Sequence, residues 1–250
     1  DTRINQQTKK IYLSKYDNNP EMIKCRGNKL NEICKYNQKN NTSIFLWGDS
    51  FVDQLVPVFK EVAFEQNYGL IEYSNPGCPP FLKEKFIFRK YIKCPEIVDA
   101  INYISSNKDI SHVVLHSYWS YHLEESQDFK ELKIVIDKLT QLEKKVLIIG
   151  PMPVMDEHPI TKLEKLSFFN KKIIDIHSSY RKHKKTNEKF NMLIDKIIYK
   201  KNIYYIEPAE IFCNKDKCYA NNGIDIYYRD NSHISVNGSK KLKPYIKKVF

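Results

Sequence analysis

The chain has no apolar run of about eighteen residues and no basic-then-apolar leader, so its 250 residues hold neither a membrane-spanning helix nor a signal peptide. It has no Cys-x-x-Cys spacing, and its histidines do not gather near its cysteines. A zinc site is therefore disfavoured, and no metal or organic cofactor is implied. Internal repeats are absent, and the only compositional bias is an excess of lysine and asparagine. A single basic stripe is missing too. The formal net charge of +11 arises from 41 Lys and Arg against 30 Asp and Glu, but the lysines are scattered. Stretches such as Arg181 to Lys185 and Lys240-Lys241 read as solvated helix faces, and nucleic acid is not the expected partner. The summed field still attracts polyanions, an anionic glycan surface among them. The first residue is Asp1 rather than Met, which reads as a processed or excised chain, with any anchor or transporter segment expected outside it.

With 42% of 250 residues apolar, the chain can bury one large core. Its six cysteines form three local couples: Cys25 and Cys34, Cys78 and Cys94, Cys213 and Cys218. Six cysteines admit many pairings, of which three short loops are the simplest, with buried reduced thiols as the alternative. An even count in short loops points to an oxidising compartment such as a periplasm or cell exterior.

Residues 1 to 42 are polar, carry Cys25 and Cys34, and read as an arm or linker pinned by a disulfide. The domain proper is expected over residues 43 to 250. There strand-like runs (Ser43 to Leu46, Gly69 to Tyr73, His112 to Leu115, Lys145 to Ile149, Asn202 to Ile206) alternate with helical patterns. The helices are expected at Asp53 to Asn67, Pro95 to Asn107, Asp128 to Leu142, Leu166 to Lys182 and Asn187 to Lys200. This alternation predicts an α/β fold with a central parallel sheet and helices on both faces. Ligands of such sheets bind beyond the carboxyl ends of the strands.

Four loops leave those ends: Gly48-Asp49-Ser50, Asn75-Pro76-Gly77-Cys78, His116-Ser117-Tyr118-Trp119 and Gly150-Pro151-Met152-Pro153. Ser50 stands where a buried strand turns into a helix, a position with free backbone N–H groups beside it. Gly48 is expected to allow a tight turn, and Asp49 to accept hydrogen bonds from loop amides. Val52, Leu55, Val56 and Phe59 fall on one helical face behind them. A serine hydroxyl is a weak nucleophile until a neutral imidazole takes its proton and a carboxylate orients that imidazole. Asp230 and His233, three residues apart ahead of a short C-terminal helix, have the spacing for that task. His112, His116 and His122 are rival bases, without a carboxylate at comparable spacing. A tetrahedral oxyanion needs donors, for which the backbone N–H groups of Ser50 and Gly77 are the candidates.

These residues resemble a known family. Trp47-Gly48-Asp49-Ser50, the Gly77 to Pro80 loop, Val113 to Leu115 leading to Trp119, Ile148 to Pro153 and Asp230-x-x-His233-x-Ser235-x-x-Gly238 are similar to the SGNH (GDSL-like) domain. More narrowly they resemble the version fused behind the acyltransferase-three membrane domain in bacterial glycan O-acetyltransferases. The resemblance spans roughly residues 43 to 250 and implies a three-layer α/β/α sandwich. It also implies Ser50 as nucleophile, His233 as base, Asp230 as its orienter and Gly77 in the oxyanion hole. Two departures accompany it. The Asn that the broad family carries after its third strand is replaced here by His116 to Trp119, and the His that often follows the serine is Phe51. Trp119 is then expected to shape a sugar or acyl pocket.

The function so implied is O-acetylation of a surface glycan, such as lipopolysaccharide or O-antigen. The acetyl donor would be delivered by a membrane acyltransferase domain in the same or another chain. The site would lie in the periplasm, tethered to the inner membrane through a segment outside this chain. A carbohydrate acetylesterase would use the same triad. A catalytically silent glycan-binding module is the reading from another class.

Overall fold

A computed structural model describes residues 6–38, 42–80, 87–88, 92–94, 97–123 and 126–250. Its centre is a six-stranded sheet made of β1 (Cys34–Tyr36), β2 (Ser43–Gly48), β3 (Gly69–Ser74), β4 (Ile110–His116), β5 (Lys145–Ile149) and β6 (Ile203–Ile206), in the order β1-β3-β2-β4-β5-β6. All neighbours are parallel except β1, which runs antiparallel to β3.

Period-two alternation of a fully buried strand explains the layers. Along β2, Ile44 and Leu46 join an apolar cluster with Leu55, Phe59 and Ile246, whereas Phe45 and Trp47 join a second one with Ile104, Val135 and Ile194. Helices Val56–Glu65, Pro159–Phe168 and Lys243–Lys247 supply the first cluster; Ile97–Ser106, Ser126–Gln141 and Glu188–Ile197 supply the second. The result is the expected α/β/α sandwich. Parallel register sets Gly48 opposite both Ser74 and His116, so three loops leave the sheet at one level.

The segment expected as an arm is tied by Cys25–Cys34, lends β1 to the sheet edge and buries Ile11 against the first cluster. The cysteines pair as three local disulfides, the others being Cys78–Cys94 and Cys213–Cys218.

Two helical expectations change. The pattern from Asp53 to Asn67 is split into Ser50–Asp53 and Val56–Glu65, because Pro57 cannot donate an amide to, and clashes with, the carbonyl four residues back. No helix covers Leu166 to Lys182. Instead the helix Pro159–Phe168 is capped by Phe169 and followed by Asn170, whose φ of 50° is left-handed. The chain then runs into the short strand His177–Ser179, paired with Lys217–Tyr219. The apolar residues Ile173 and Ile176 that mimicked a helical face are packed against the first cluster from an extended segment. Pro95, at the start of another expected helix, lies outside the described residues.

One buried carboxyl faces no cation at hydrogen-bond distance. Glu72 of β3 is fully buried and accepts from the Tyr36 hydroxyl and the Ser74 hydroxyl, both at 2.8 Å. Burial pushes it up to about 7 from the ordinary 4.5. The native state therefore keeps a proton that the unfolded chain releases, and stability falls as pH rises from about 4.5 to about 7, the full cost remaining above. That cost is on the order of 3 kcal/mol. Glu72→Gln, neutral at every pH, should match the wild type in thermal unfolding near pH 5 and exceed it by several degrees at pH 8. Parallel curves of melting temperature against pH would refute this account.

Candidate active site

Ser50 opens the first helical turn after β2, and that turn is capped by Asp49, whose Oδ1 accepts from the Phe51 N–H at 2.8 Å. Ser50 Oγ lies 2.9 Å from His233 Nε2, and His233 Nδ1 lies 2.9 Å from Asp230 Oδ2. Since the carboxylate only accepts, Nδ1 carries the proton and Nε2 is left to receive one from the serine. The other Asp230 oxygen accepts the backbone N–H groups of His233 at 2.6 Å and Ser232 at 2.8 Å. Burial pushes the Asp230 carboxyl up, but the His233 ring and these amides outweigh it and hold the group well below the usual carboxylate range. It remains an anion wherever the protein is folded and near neutral pH.

Tertiary contacts hold the three groups in line. The Ile234 N–H donates to the buried Gln54 Oε1 at 2.7 Å, tying the histidine loop to the helix behind Ser50. Ser235 caps the helix Val236–Lys240 through the Gly238 N–H at 2.9 Å. The Phe51 ring packs against the His233 imidazole with centroids 4.7 Å apart and stacks on Tyr118 at the same distance.

Gly77 lies in the cavity wall beside Ser50 with φ of 74°. The Cys78 N–H donates to the Asn75 carbonyl at 2.9 Å, so Asn75 to Cys78 forms a turn with Pro76 and a left-handed Gly77 at its two central positions. The Asn75 N–H donates to the Gly48 carbonyl at 2.9 Å, which fixes this turn beside Ser50, and Cys78–Cys94 staples it.

The loop after β4 carries a different load from the one expected. Asp49 Oδ2 accepts from the Ser117 hydroxyl at 2.7 Å, the Tyr118 N–H at 3.0 Å and His122 Nε2 at 2.8 Å. Burial pushes the Asp49 carboxyl up, and the His122 and loop donors more than compensate, leaving it below its ordinary value. Ser117 and Tyr118 are thus engaged in holding Asp49. Trp119 does not line the cavity: it is fully buried, its indole N–H donates to the Ile149 carbonyl at 2.7 Å, and its ring stacks on Phe190. The aromatic rings that do line the cavity are those of Tyr118, Phe51 and Tyr121 among the described residues. An indole is large enough to fill the gap between β4 and the helix Glu188–Ile197, and core packing claims it.

Of the rival histidines, His116 is fully buried and pushed down by that burial to about 4, so it is neutral, with Nδ1–H donating to the Ile149 carbonyl at 3.0 Å. His112 packs against Phe250 and Tyr68, apart from the cavity. His122 does reach the cavity, but its Nε2 is spent on Asp49. Arg26 and Arg229 also line it, and sequence patterning singled out neither. The cavity volume is about 470 Å³, enough for a sugar ring beside an acyl group. Among the described residues no cluster of His, Cys, Asp and Glu is placed to hold a metal ion.

A mostly parallel sheet between two helical layers, with serine, histidine and aspartate in hydrogen-bond series at its strand ends, defines an SGNH hydrolase-like domain. The chain belongs to the family described as "SGNH domain (fused to AT3 domains)", which matches residues 18–248. Among solved structures it is similar to the periplasmic domain of the Salmonella ser. Paratyphi A lipopolysaccharide acetyltransferase, with a TM-score of 0.68, 20% identity, and coverage of 96% of this chain and 95% of that one. A GDSL-like lipase from Bacteroides thetaiotaomicron VPI-5482 gives a TM-score of 0.48 at 10% identity over 83% of this chain and 87% of that one. No curated protein sequence matches the chain.

Proposed function

We propose that this domain is an extracytoplasmic O-acetyltransferase that carries an acetyl group on Ser50 and passes it to a hydroxyl of a bacterial surface glycan. The supporting observation is the unbroken series Ser50 to His233 to Asp230, with both links at 2.9 Å, opening on a cavity of about 470 Å³. Ser50 Oγ attacks the acetyl carbonyl while its proton passes to His233 Nε2. The oxyanion is met by the Ser50 and Gly77 amides, and the donor's leaving group departs with the histidine's proton. A glycan hydroxyl then attacks the acyl-serine, giving its proton to His233, which returns it to Ser50 Oγ as the ester of the glycan is released.

Membership of a family fused to AT3 domains supports a membrane acyltransferase domain as the source of the acetyl group. Three disulfides favour an oxidising compartment, with the periplasm as the proposed location. Among the described residues no helix is long and apolar enough to cross a membrane, so the tether is assigned to another segment.

The test incubates the protein with an activated acetyl ester, with and without envelope glycan, and reads both protein and glycan by mass spectrometry. Acetylated glycan from wild type and none from Ser50→Ala is the expected result. Hydrolysis of the ester that no glycan diverts would replace the transferase with an esterase. No turnover by folded protein would leave only a glycan-binding role.

A further inference from the structure

Two guanidinium groups stand in the cavity that holds Ser50 and His233, and the acyl-transfer steps above use neither. Arg26 comes from the N-terminal segment and is ion-paired to Asp53, a buried carboxylate whose other oxygen accepts from Asn19 Nδ2 at 2.8 Å. That pair is neutral. Arg229 directly precedes Asp230, and its backbone N–H donates to the His233 carbonyl at 3.0 Å, which anchors it across from the base.

Arg229 makes no ion pair among the described residues. Among the described residues the Arg229 side chain, which lines the cavity, makes no hydrogen bond, and the buried Nε atoms of Arg26 and Arg229 have no partner. Leaving donors of a charged group unmatched is costly, and proteins retain such an arrangement where a ligand supplies the acceptor. The carboxylates of the wall do not supply it: Asp49 is taken by His122, Ser117 and the Tyr118 amide, and Asp230 by His233 and Ser232. Burial lowers the proton affinity of Arg229, Asp230 raises it, and the charge of Arg26 lowers it again, so the two cations act on each other across the cavity. Arg229 is therefore a cation of the wall that no carboxylate among the described residues pairs with, and its planar fork suits a planar or tetrahedral oxyanion held by more than one N–H.

We propose that Arg26 and Arg229 form an anion subsite beside the reacting serine, and that the acceptor glycan presents a carboxylate or phosphate to it. The assignment of that anion to the acceptor rests on the acyl-transfer reading, in which the acceptor hydroxyl must be held against the acyl-serine. An acidic sugar bound at Arg229 would be oriented by a charged anchor, while a neutral sugar would rely on Tyr118 and Tyr121 alone.

The experiment uses Ser50→Ala protein, which cannot turn over, and measures binding of methyl β-glucuronide, glucose 6-phosphate and methyl β-glucoside by calorimetry or ligand-observed NMR. At least one of the two anionic sugars should bind about tenfold or more tightly than the glucoside, with the advantage shrinking as salt rises. Which of them does so identifies carboxylate or phosphate. Adding Arg229→Gln should bring the ratio toward one, and Arg229→Lys should keep part of it, since the charge stays and the fork is lost. Equal affinities for all three sugars would overturn the proposal. So would an anion preference that survives Arg229→Gln in a protein whose circular dichroism is unchanged. Serine-dependent glycan acetylation without any anion preference would sink only the subsite, and an anion preference without acetylation would sink only the transferase reading.

Discussion

Ser50→Ala should lower the turnover of an activated acetyl ester by a factor on the order of 10⁴ to 10⁶, with circular dichroism and thermal unfolding unchanged. The size of the effect follows from the proposed role of the hydroxyl, which lies 2.9 Å from His233 Nε2 while the other ring nitrogen is held by Asp230. On the proposed mechanism water must then replace the serine as nucleophile, with no acyl-enzyme to pass through and the backbone amides of residue 50 and Gly77 still offered to the oxyanion. Asp230→Asn should cost less, on the order of 10³ to 10⁴, and by a different route. Asparagine can still accept the His233 and Ser232 amides, so the loop keeps its shape. Its NH₂ favours a histidine with the proton on Nε2, which can no longer accept from Ser50. Mass spectrometry separates the two variants further. Asp230→Asn retains the nucleophile and can trap a slow acyl-enzyme, whereas Ser50→Ala cannot form one. A Ser50→Ala protein that retained activity within tenfold of wild type would remove this serine from the mechanism.

The parts of the site that were legible in the sequence are those where the chemistry dictates residue type and local spacing. Ser50 follows a six-residue buried strand, and Asp230 and His233 belong to one turn, so neighbouring residues already hold most of their geometry. Arg26 is brought to the cavity by tertiary packing of the N-terminal segment, and Arg229 and Tyr121, although close in sequence to Asp230 and Trp119, carry no pattern that marks them. The clue available for His122 was its place after Trp119 among the rival histidines, but its partner Asp49 lies 73 residues away. Trp119 misled for the converse reason. An aromatic residue beside a functional loop reads the same whether it faces solvent or core, and here the distant Ile149 carbonyl and Phe190 ring decide for the core. In the fold, the five parallel strands are continuous apolar runs and therefore stand out, whereas β1 is three residues long with only intermediate or exposed positions. Its pairing is set by β3 rather than by its own pattern. The false helix from Leu166 to Lys182 shows the limit of periodicity, since apolar spacing survives in an extended segment that crosses the same cluster.

Gly48→Ala should be the most damaging single-methyl change in the molecule, costing at least about 4 kcal/mol or leaving the protein insoluble. The expectation that Gly48 permits a tight turn does not explain this: the positive-φ glycines are Gly27, Gly77 and Gly223, and Gly48 is the last residue of β2. The requirement is close approach. A Cβ at Gly48 would lie 1.7 Å from the His116 carbonyl oxygen and 2.9 Å from its carbon, both backbone atoms of the adjoining strand. That strand end has little freedom to retreat, because β5 flanks it on the other side and the buried His116 ring is itself bonded to the Ile149 carbonyl at 3.0 Å. Relief must come from β2, which would carry Ser50 away from His233. Gly223→Ala provides the contrast: it has nothing within 4 Å of the added methyl and a φ of 58°, so its cost should be about 1 kcal/mol of backbone strain with activity retained. Thermal unfolding of the two variants side by side checks the argument. If Gly48→Ala melts within two or three degrees of wild type, the strand ends are not rigidly apposed, and the placement of Ser50 must depend on the Asp49 network instead.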